Sequence, residues 1–256
     1  MKQYLLPALL LIFTGFSQIV AQSAEITDLL GNQIDPDNDL VELSGSALES
    51  GASYIRLRRS SLIIERSDPV QDQLTSHQEG KKFLKDYELL GSLLDPNGHR
   101  FDIAKFQAMD GKPYISLTAW SKYESGPEKK QVEYVDPYDL SAEEVNLEGI
   151  DEKRKLWVKF SNDHDPDALV NATYMESGYY LSSGRIRSGR PAIIEAYQYM
   201  NRPNWKIQLF PEHVVPVHAD LIYEVGRYES TGQGSYMLIW VKDNEGKWMI
   251  MLDFNF

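Results

Sequence analysis

The sequence predicts an α+β protein: helical segments packed against a curved, mainly antiparallel sheet, with a smaller mainly β module ahead of them. Three observations carry this. The second half runs helix, helix, short hairpin, helix, then a long series of strand-like runs joined by tight turns. The first half contains two alternating runs, Phe101 to Met109 and Tyr114 to Lys122, on either side of Asp110-Gly111, which is a hairpin pattern. The last run, Trp248 to Phe256, is apolar on both faces yet holds Asp253. A carboxylate among Met, Leu and Phe costs several kcal/mol unless it is protonated, paired or solvated. Asp253 is therefore the best pointer to a pocket.

Met1-Lys2 is followed by an apolar stretch from Tyr4 to Phe16, then by small and polar residues around Ala21-Gln22-Ser23-Ala24. This reads as a secretory signal peptide over 1–23, cleaved between Ala21 and Ala24. The rival, an anchoring helix, is disfavoured because the stretch is short and broken by Pro7, Gly15 and Gln18. The expected location is outside the cytoplasm, in a bacterial periplasm or the medium, with no stable membrane insertion after cleavage. Among the 256 residues none is cysteine, which excludes a disulfide framework, a cysteine nucleophile and a thiolate metal site. The net charge of −12 and the shortness of the basic clusters (Arg56 to Arg59, Arg185 to Arg190) argue against nucleic-acid binding.

Residues 24–52 are polar and turn-rich and read as an irregular lead-in. The mainly β module spans 53–136. Within it Tyr54 to Glu65 reads as a strand. Gln71 to Leu90 reads as a helix, with Phe83, Tyr87 and Leu90 on one face. The hairpin about Asp110-Gly111 follows, then a short strand at Val132 to Val135. Asp136-Pro137-Tyr138-Asp139 is a linker. The second domain spans 140–256. Ser141 and Glu144 form a capping box, which predicts a helix carrying the imperfect stripe Leu147, Ile150, Leu156, Val158 and Phe160. Pro166 suits the first turn of a second helix, ending near Tyr174. Short strands follow at 178–182 and 186–187, then a third helix over 191–200. Strands are expected at about 205–210, 214–228, 235–242 and 247–255.

Four segments of this second half, in order, resemble the nuclear-transport-factor-2-like superfamily in its SnoaL-like and ketosteroid-isomerase-like branch. They are Asp165 to Leu169, Gly189-Arg190-Pro191-Ala192-Ile193, the strand Asp220 to Tyr228, and a closing hairpin that includes Tyr236, Trp240, Trp248, Asp253 and Asn255. The resemblance covers about 140–256. It implies a cone-shaped roll, a bent antiparallel sheet over three helices with a pocket between them, and a frequent homodimer. It fixes no activity, because the superfamily includes isomerases, dehydratases, hydrolases and non-enzymatic binding or assembly domains.

Alternation along the strands places Met249, Met251, Asp253 and Asn255 on one face, opposite Trp248, Ile250, Leu252 and Phe254. Ile222, Glu224 and Tyr228 share a face of the preceding Asp220 strand. Asp253 and Glu224 are the candidate catalytic acids, and Glu224 has Arg187 or Arg227 as a candidate partner. Tyr174, Tyr180, Tyr228, Trp240, Met251 and Asn255 are the candidate ligand-binding residues. Catalytic relatives often carry an acid or His where the second helix meets the next strand, and here that junction is Tyr174-Met175-Glu176-Ser177-Gly178, with Glu176 the one substitute. No metal site and no cofactor is expected: the five histidines never pair at helical spacing, and His213 and His218 about Pro216 are a weak pair. Asn171-Ala172-Thr173 is a sequon on a predicted helix, and Gly232-Gln233-Gly234 reads as a hairpin loop. Three functions remain open at this stage: an exported module binding a small, largely apolar molecule; a cofactor-free lyase, isomerase or hydrolase using a pocket carboxylate; and a dimeric structural or assembly domain joined through the apolar face of the last strand.

Overall fold

A computed structural model describes residues 85–107, 113–122, 128–138, 145–182 and 185–256, together with the course of four short strands before them. Those four are β1 (Ile26–Thr27), β2 (Gln33–Ile34), β3 (Ser53–Arg58) and β4 (Ser61–Arg66). The leader, the residues 71–84 of the expected helix, the Asp110-Gly111 turn, the Ser141–Glu144 box and His77 lie outside the described residues.

The first six-stranded sheet has the order β4-β3-β8-β7-β6-β5, where β5 is Lys85–Leu94, β6 Arg100–Gln107, β7 Pro113–Lys122 and β8 Glu128–Pro137. All its neighbours are antiparallel except β3 and β8. Two sequence expectations change. The run read as one strand, Tyr54 to Glu65, is the hairpin β3–β4. Residues 85–90, expected to be helical, begin β5. The cause is two register shifts on β5, between Lys85 and Glu88 and between Leu89 and Gly91, which break the two-residue alternation. Leu90 and Leu93 consequently pack inward at a spacing of three that mimics a helix. The expected linker is also partly strand, since Asp136 and Pro137 close β8 and Tyr138 is buried.

The second half contains α1 (Glu148–Asn162), α2 (Pro166–Thr173), β9 (Tyr174–Ser182), β10 (Arg185–Ser188) and α3 (Gly189–Ala196), the last continued by a 3-10 turn over Tyr197–Asn201. The strands β11 (Gln208–His218), β12 (Leu221–Glu229), β13 (Gln233–Lys242) and β14 (Trp248–Asn255) follow. Asp165 caps α2 by accepting the Ala168 N–H at 2.9 Å. The sheet order is β10-β9-β14-β13-β12-β11, antiparallel apart from the β14–β9 pair. The turn that separates β11 from β12 lies at residues 219–220, inside the segment read as a single strand over 214–228.

This bent sheet is covered on both faces. On one face Ile150, Trp157, Leu169 and Ile193 from the three helices meet Ile222, Trp240 and Ile250. On the other face Phe101, Ile103, Leu117 and Tyr134 of the first sheet meet Tyr223, Met237, Ile239 and Leu252 in one apolar layer. Tyr134 and Tyr223 contact edge to face with centroids 5.5 Å apart.

The faces of β14 are set by a bulge. Trp240 pairs with Ile250, but the adjacent Ile239 pairs with Leu252, so Met251 is an extra residue. Trp248 and Ile250 therefore point to the helices, while Leu252 and Phe254 point to the first sheet. The simple alternation expected from the sequence fails at this residue. The apolar face reserved for a dimer is likewise split, and its Leu252–Phe254 half is covered by the chain's own first sheet.

Candidate functional site

The buried charges on the helix side of the sheet form two groups. The first is centred on Glu224, which is 0% exposed on β12. Arg154 of α1 donates to both of its oxygens, from Nε at 2.9 Å and from Nη2 at 2.8 Å. Tyr236 donates its hydroxyl to Oε1 and Trp240 its indole N–H to Oε2, each at 2.8 Å. Four donors satisfy this carboxylate, the requirement for keeping an ion so deep. Gly226 makes the arrangement possible: it lies opposite Tyr236, and a Cβ there would fall 2.5 Å from the Tyr236 hydroxyl. Glu224 is not on the cavity wall described below and has no lone pair to offer a substrate, so its expected catalytic role is corrected to a structural one. The partners expected for it are engaged elsewhere: Arg227 pairs with Glu212, and Arg187 stacks over the Tyr180 ring.

The second group is centred on Asp253, which is 5% exposed on β14. Its Oδ2 accepts hydrogen bonds from Tyr174 at 2.6 Å and from Tyr197 at 2.7 Å, and the two hydroxyls are themselves 2.6 Å apart. Oδ1 has no hydrogen-bond partner among the described residues. Asp253 forms part of the wall of a cavity of about 260 Å³. Trp157 from α1, Tyr197 and Tyr199 from the 3-10 turn, and Trp205 supply one side of the wall, and Tyr180, Tyr228 and Tyr236 from the sheet supply the other. Ser182, Ser230 and Asn255 are the small polar members, and Ser182 donates to Asn255 Oδ1 at 2.6 Å.

Burial pushes the Asp253 carboxyl up from 3.8 to about 6, against the two tyrosine hydrogen bonds, with a smaller upward push from Glu224. An acid raised in this way holds more protons folded than unfolded between those two values. Its contribution to stability is thus present at low pH and lost as pH rises through the window, by up to about 3 kcal/mol. We expect Asp253→Asn to melt higher than the parent at pH 7.5, by about 1–3 kcal/mol of stability, and to lose most of that advantage at pH 4. Thermal melts at the two pH values check this; an equal difference at both would refute it.

The other expected site residues divide. Tyr180, Tyr228 and Asn255 line the cavity. Tyr174 stands behind Asp253 and reaches it only through its hydroxyl. Two ligand-binding assignments are corrected: Trp240 is committed to Glu224, and Met251 packs toward the first sheet because of the bulge. Glu176 is exposed, since β9 kinks there between Tyr174 and Tyr179, so it does not reach the cavity. His213 faces the Ser92 carbonyl at 3.2 Å and His218 faces Asp136 at 3.7 Å, so they do not converge. Among the described residues no cluster of three metal-binding side chains occurs. His164 meets the Met200 carbonyl through its Nδ1 at 2.6 Å. In the sequon, Thr173 is fully buried and donates to the Leu169 carbonyl.

The sequence reading missed Arg154, Trp157, Tyr197 and Trp205. For the first two a signal was present: Ile150, Arg154, Trp157 and Ser161 are the buried face of α1 and follow helical spacing.

No family model matches the sequence, and no curated protein matches it. Among solved structures the C-terminal half is similar to an NTF-2 like protein from Shewanella oneidensis, at 20% identity over 42% of this chain and 95% of that one, with a TM-score of 0.38. It is also similar to a ketosteroid isomerase-like protein from Erwinia carotovora, at 19% identity over 43% of this chain and 93% of that one, TM-score 0.37. A third is a domain with a cystatin-like fold from Nostoc punctiforme, at 15% identity over 46% of this chain and 77% of that one, TM-score 0.38. The bent mixed sheet with its three helices, preceded by the first sheet, is the architecture expected of the nuclear-transport-factor-2-like resemblance.

Proposed function

We propose that this is an exported protein whose C-terminal cavity binds a small, largely apolar molecule that places one polar group at Asp253. The observation that carries the reading is the open side of Asp253: one carboxyl oxygen is fixed by two tyrosines, and the other is unpartnered at the wall of an aromatic cavity. Apolar walls with a few convergent polar groups are what a small-molecule site requires. At about 260 Å³ the cavity sits just under the usual range of roughly 300–1,000 Å³, which favours a small occupant. Export rests on the leader-like residues 1–23. The test is ligand-observed NMR with 4-tert-butylphenol. Binding in the parent, lost in Ser230→Trp at the cavity rim, supports the reading; no binding, or equal binding by both, rejects it.

A cofactor-free lyase, isomerase or hydrolase is the second reading, favoured by a carboxyl pushed up to about 6, where a group can both give and take a proton near neutrality. Asp253 would be its proton-transfer acid, because among the described residues no other carboxylate side chain and no histidine lines the cavity. An Asp253→Asn variant that turns over a discovered substrate at the parental rate would remove it.

A further inference from the structure

The chemical class of the ligand follows from the charge and the surfaces inside the cavity, provided the cavity is a binding site as proposed above. Among the described residues Asp253 is the only carboxylate side chain of the lining, and no lysine or arginine shares the wall. The buried Arg154 of α1 is neutralised by Glu224. Two tyrosine hydroxyls donate to Oδ2, an arrangement that serves an anionic carboxyl. The free Oδ1 thus belongs to a buried acid that has no ion pair among the described residues. Around it stand aromatic rings: Tyr180 and Tyr199 each lie within 6.0 Å of Tyr197, and Trp205 lies 4.9 Å from Tyr199, centroid to centroid. Ring faces attract cations within about 6 Å, and several rings with one carboxylate recognise alkylated ammonium groups.

We propose that the ligand of this cavity is an organic cation, an alkylated amine or quaternary ammonium compound, whose positive centre sits between Asp253 Oδ1 and the aromatic wall. The apolar carbons around such a centre meet the rings, and the charge supplies the missing partner of the acid. The same field acts on the phenols: the negative charge of Asp253 adds to burial in raising the pKa of Tyr197, Tyr180, Tyr199 and Tyr228, which keeps the wall neutral. A neutral carbonyl compound would instead need Asp253 protonated, so the two ligand classes predict opposite responses to pH.

The groups that face Asp253 are Tyr174 and Tyr180 from β9, Tyr197 and Tyr199 from the 3-10 turn, Tyr228 from β12, Tyr236 from β13, and the more distant charge of Glu224. His99, stacked on Phe256 at 3.8 Å, lies just behind the wall. The experiment uses the full chain and two probes of one shape, phenyltrimethylammonium and tert-butylbenzene, with affinities measured by calorimetry or tryptophan fluorescence. At pH 7.5 the cation is expected to bind at least about tenfold more tightly than its neutral isostere. Its affinity is expected to fall about tenfold by pH 5.0, as the carboxyl with a pKa of about 6 takes up its proton, while that of the isostere stays constant. In Asp253→Asn the preference and the pH response both disappear, which separates Asp253 from His99; Tyr228→Leu weakens the cation more than the isostere. Equal or tighter binding of tert-butylbenzene at pH 7.5, or a cation affinity indifferent to pH in the parent protein, overturns the proposal and leaves the apolar-site reading standing. If neither probe binds, both readings fall.

Discussion

Replacing Arg154 with methionine is expected to cost about 3–5 kcal/mol of stability and to lower the melting midpoint by about 10 °C. The substitution is close in length and keeps helix propensity, so the effect comes from what remains behind. Glu224 would stay 0% exposed with its two neutral donors, Tyr236 and Trp240, but without the guanidinium that closes both its oxygens. A buried carboxylate deprived of its ion partner is the costly case; losing the whole pair is far cheaper. Arg154→Met combined with Glu224→Leu is therefore expected to recover much of the loss, although the Tyr236 hydroxyl and the Trp240 N–H then lack their acceptor. Chemical denaturation of the two single variants and the double variant closes the cycle. Strict additivity would contradict the coupling drawn from the geometry.

That ion pair also marks the limit of what the sequence made legible. In Glu152-Lys153-Arg154-Lys155 the arginine looks like one member of a solvated charge run. Helical spacing from Ile150 and Trp157 puts it on the buried face, but nothing local says which acid it meets, because Glu224 lies 70 residues away. Glu224 was legible as an acid on an apolar strand, and its role was not. Asp253 was legible for the same reason, and the structure places its buried carboxyl at the wall of a cavity.

The element order of the second half could be read because each helix and strand there has strong local signals, such as Asp165 and Pro166 at the start of α2. Bulges hid the rest. At Met251 one extra residue reverses the faces of β14, so Trp248 and Ile250 move from the expected outer face to the helix side, while Leu252 and Phe254 stay on the face away from the helices, under the first sheet. On β5 two bulges turn a strand pattern into a helix-like one. Gly91, in the middle of that run, was the available clue: a Cβ there would meet the His213 ring at 2.6 Å, so the position serves a close approach between the edges of two sheets rather than a helix.

Phe101→Ala is expected to destabilise the protein by about 3–5 kcal/mol, and to do so for both sheets at once. Phe101 is 0% exposed on β6, and its ring meets Phe254 at 6.1 Å and Phe256 at 5.5 Å, both edge to face. Phe254 follows Asp253 on β14, and Phe256 lines the cavity itself, so this one ring lies beneath the strand that carries the site. Removing it leaves a void that a sandwich of two sheets cannot close without moving one of them. Because the layer is shared, melting followed by far-ultraviolet circular dichroism and by the fluorescence of the cavity tryptophans Trp157 and Trp205 is expected to show one coincident transition, shifted down in both signals. Leu94→Ala, at a side chain 63% exposed, serves as the control, with an expected effect within about 0.5 kcal/mol. A Phe101→Ala protein whose fluorescence transition stayed in place while the dichroism signal split would show that the first sheet does not support the second.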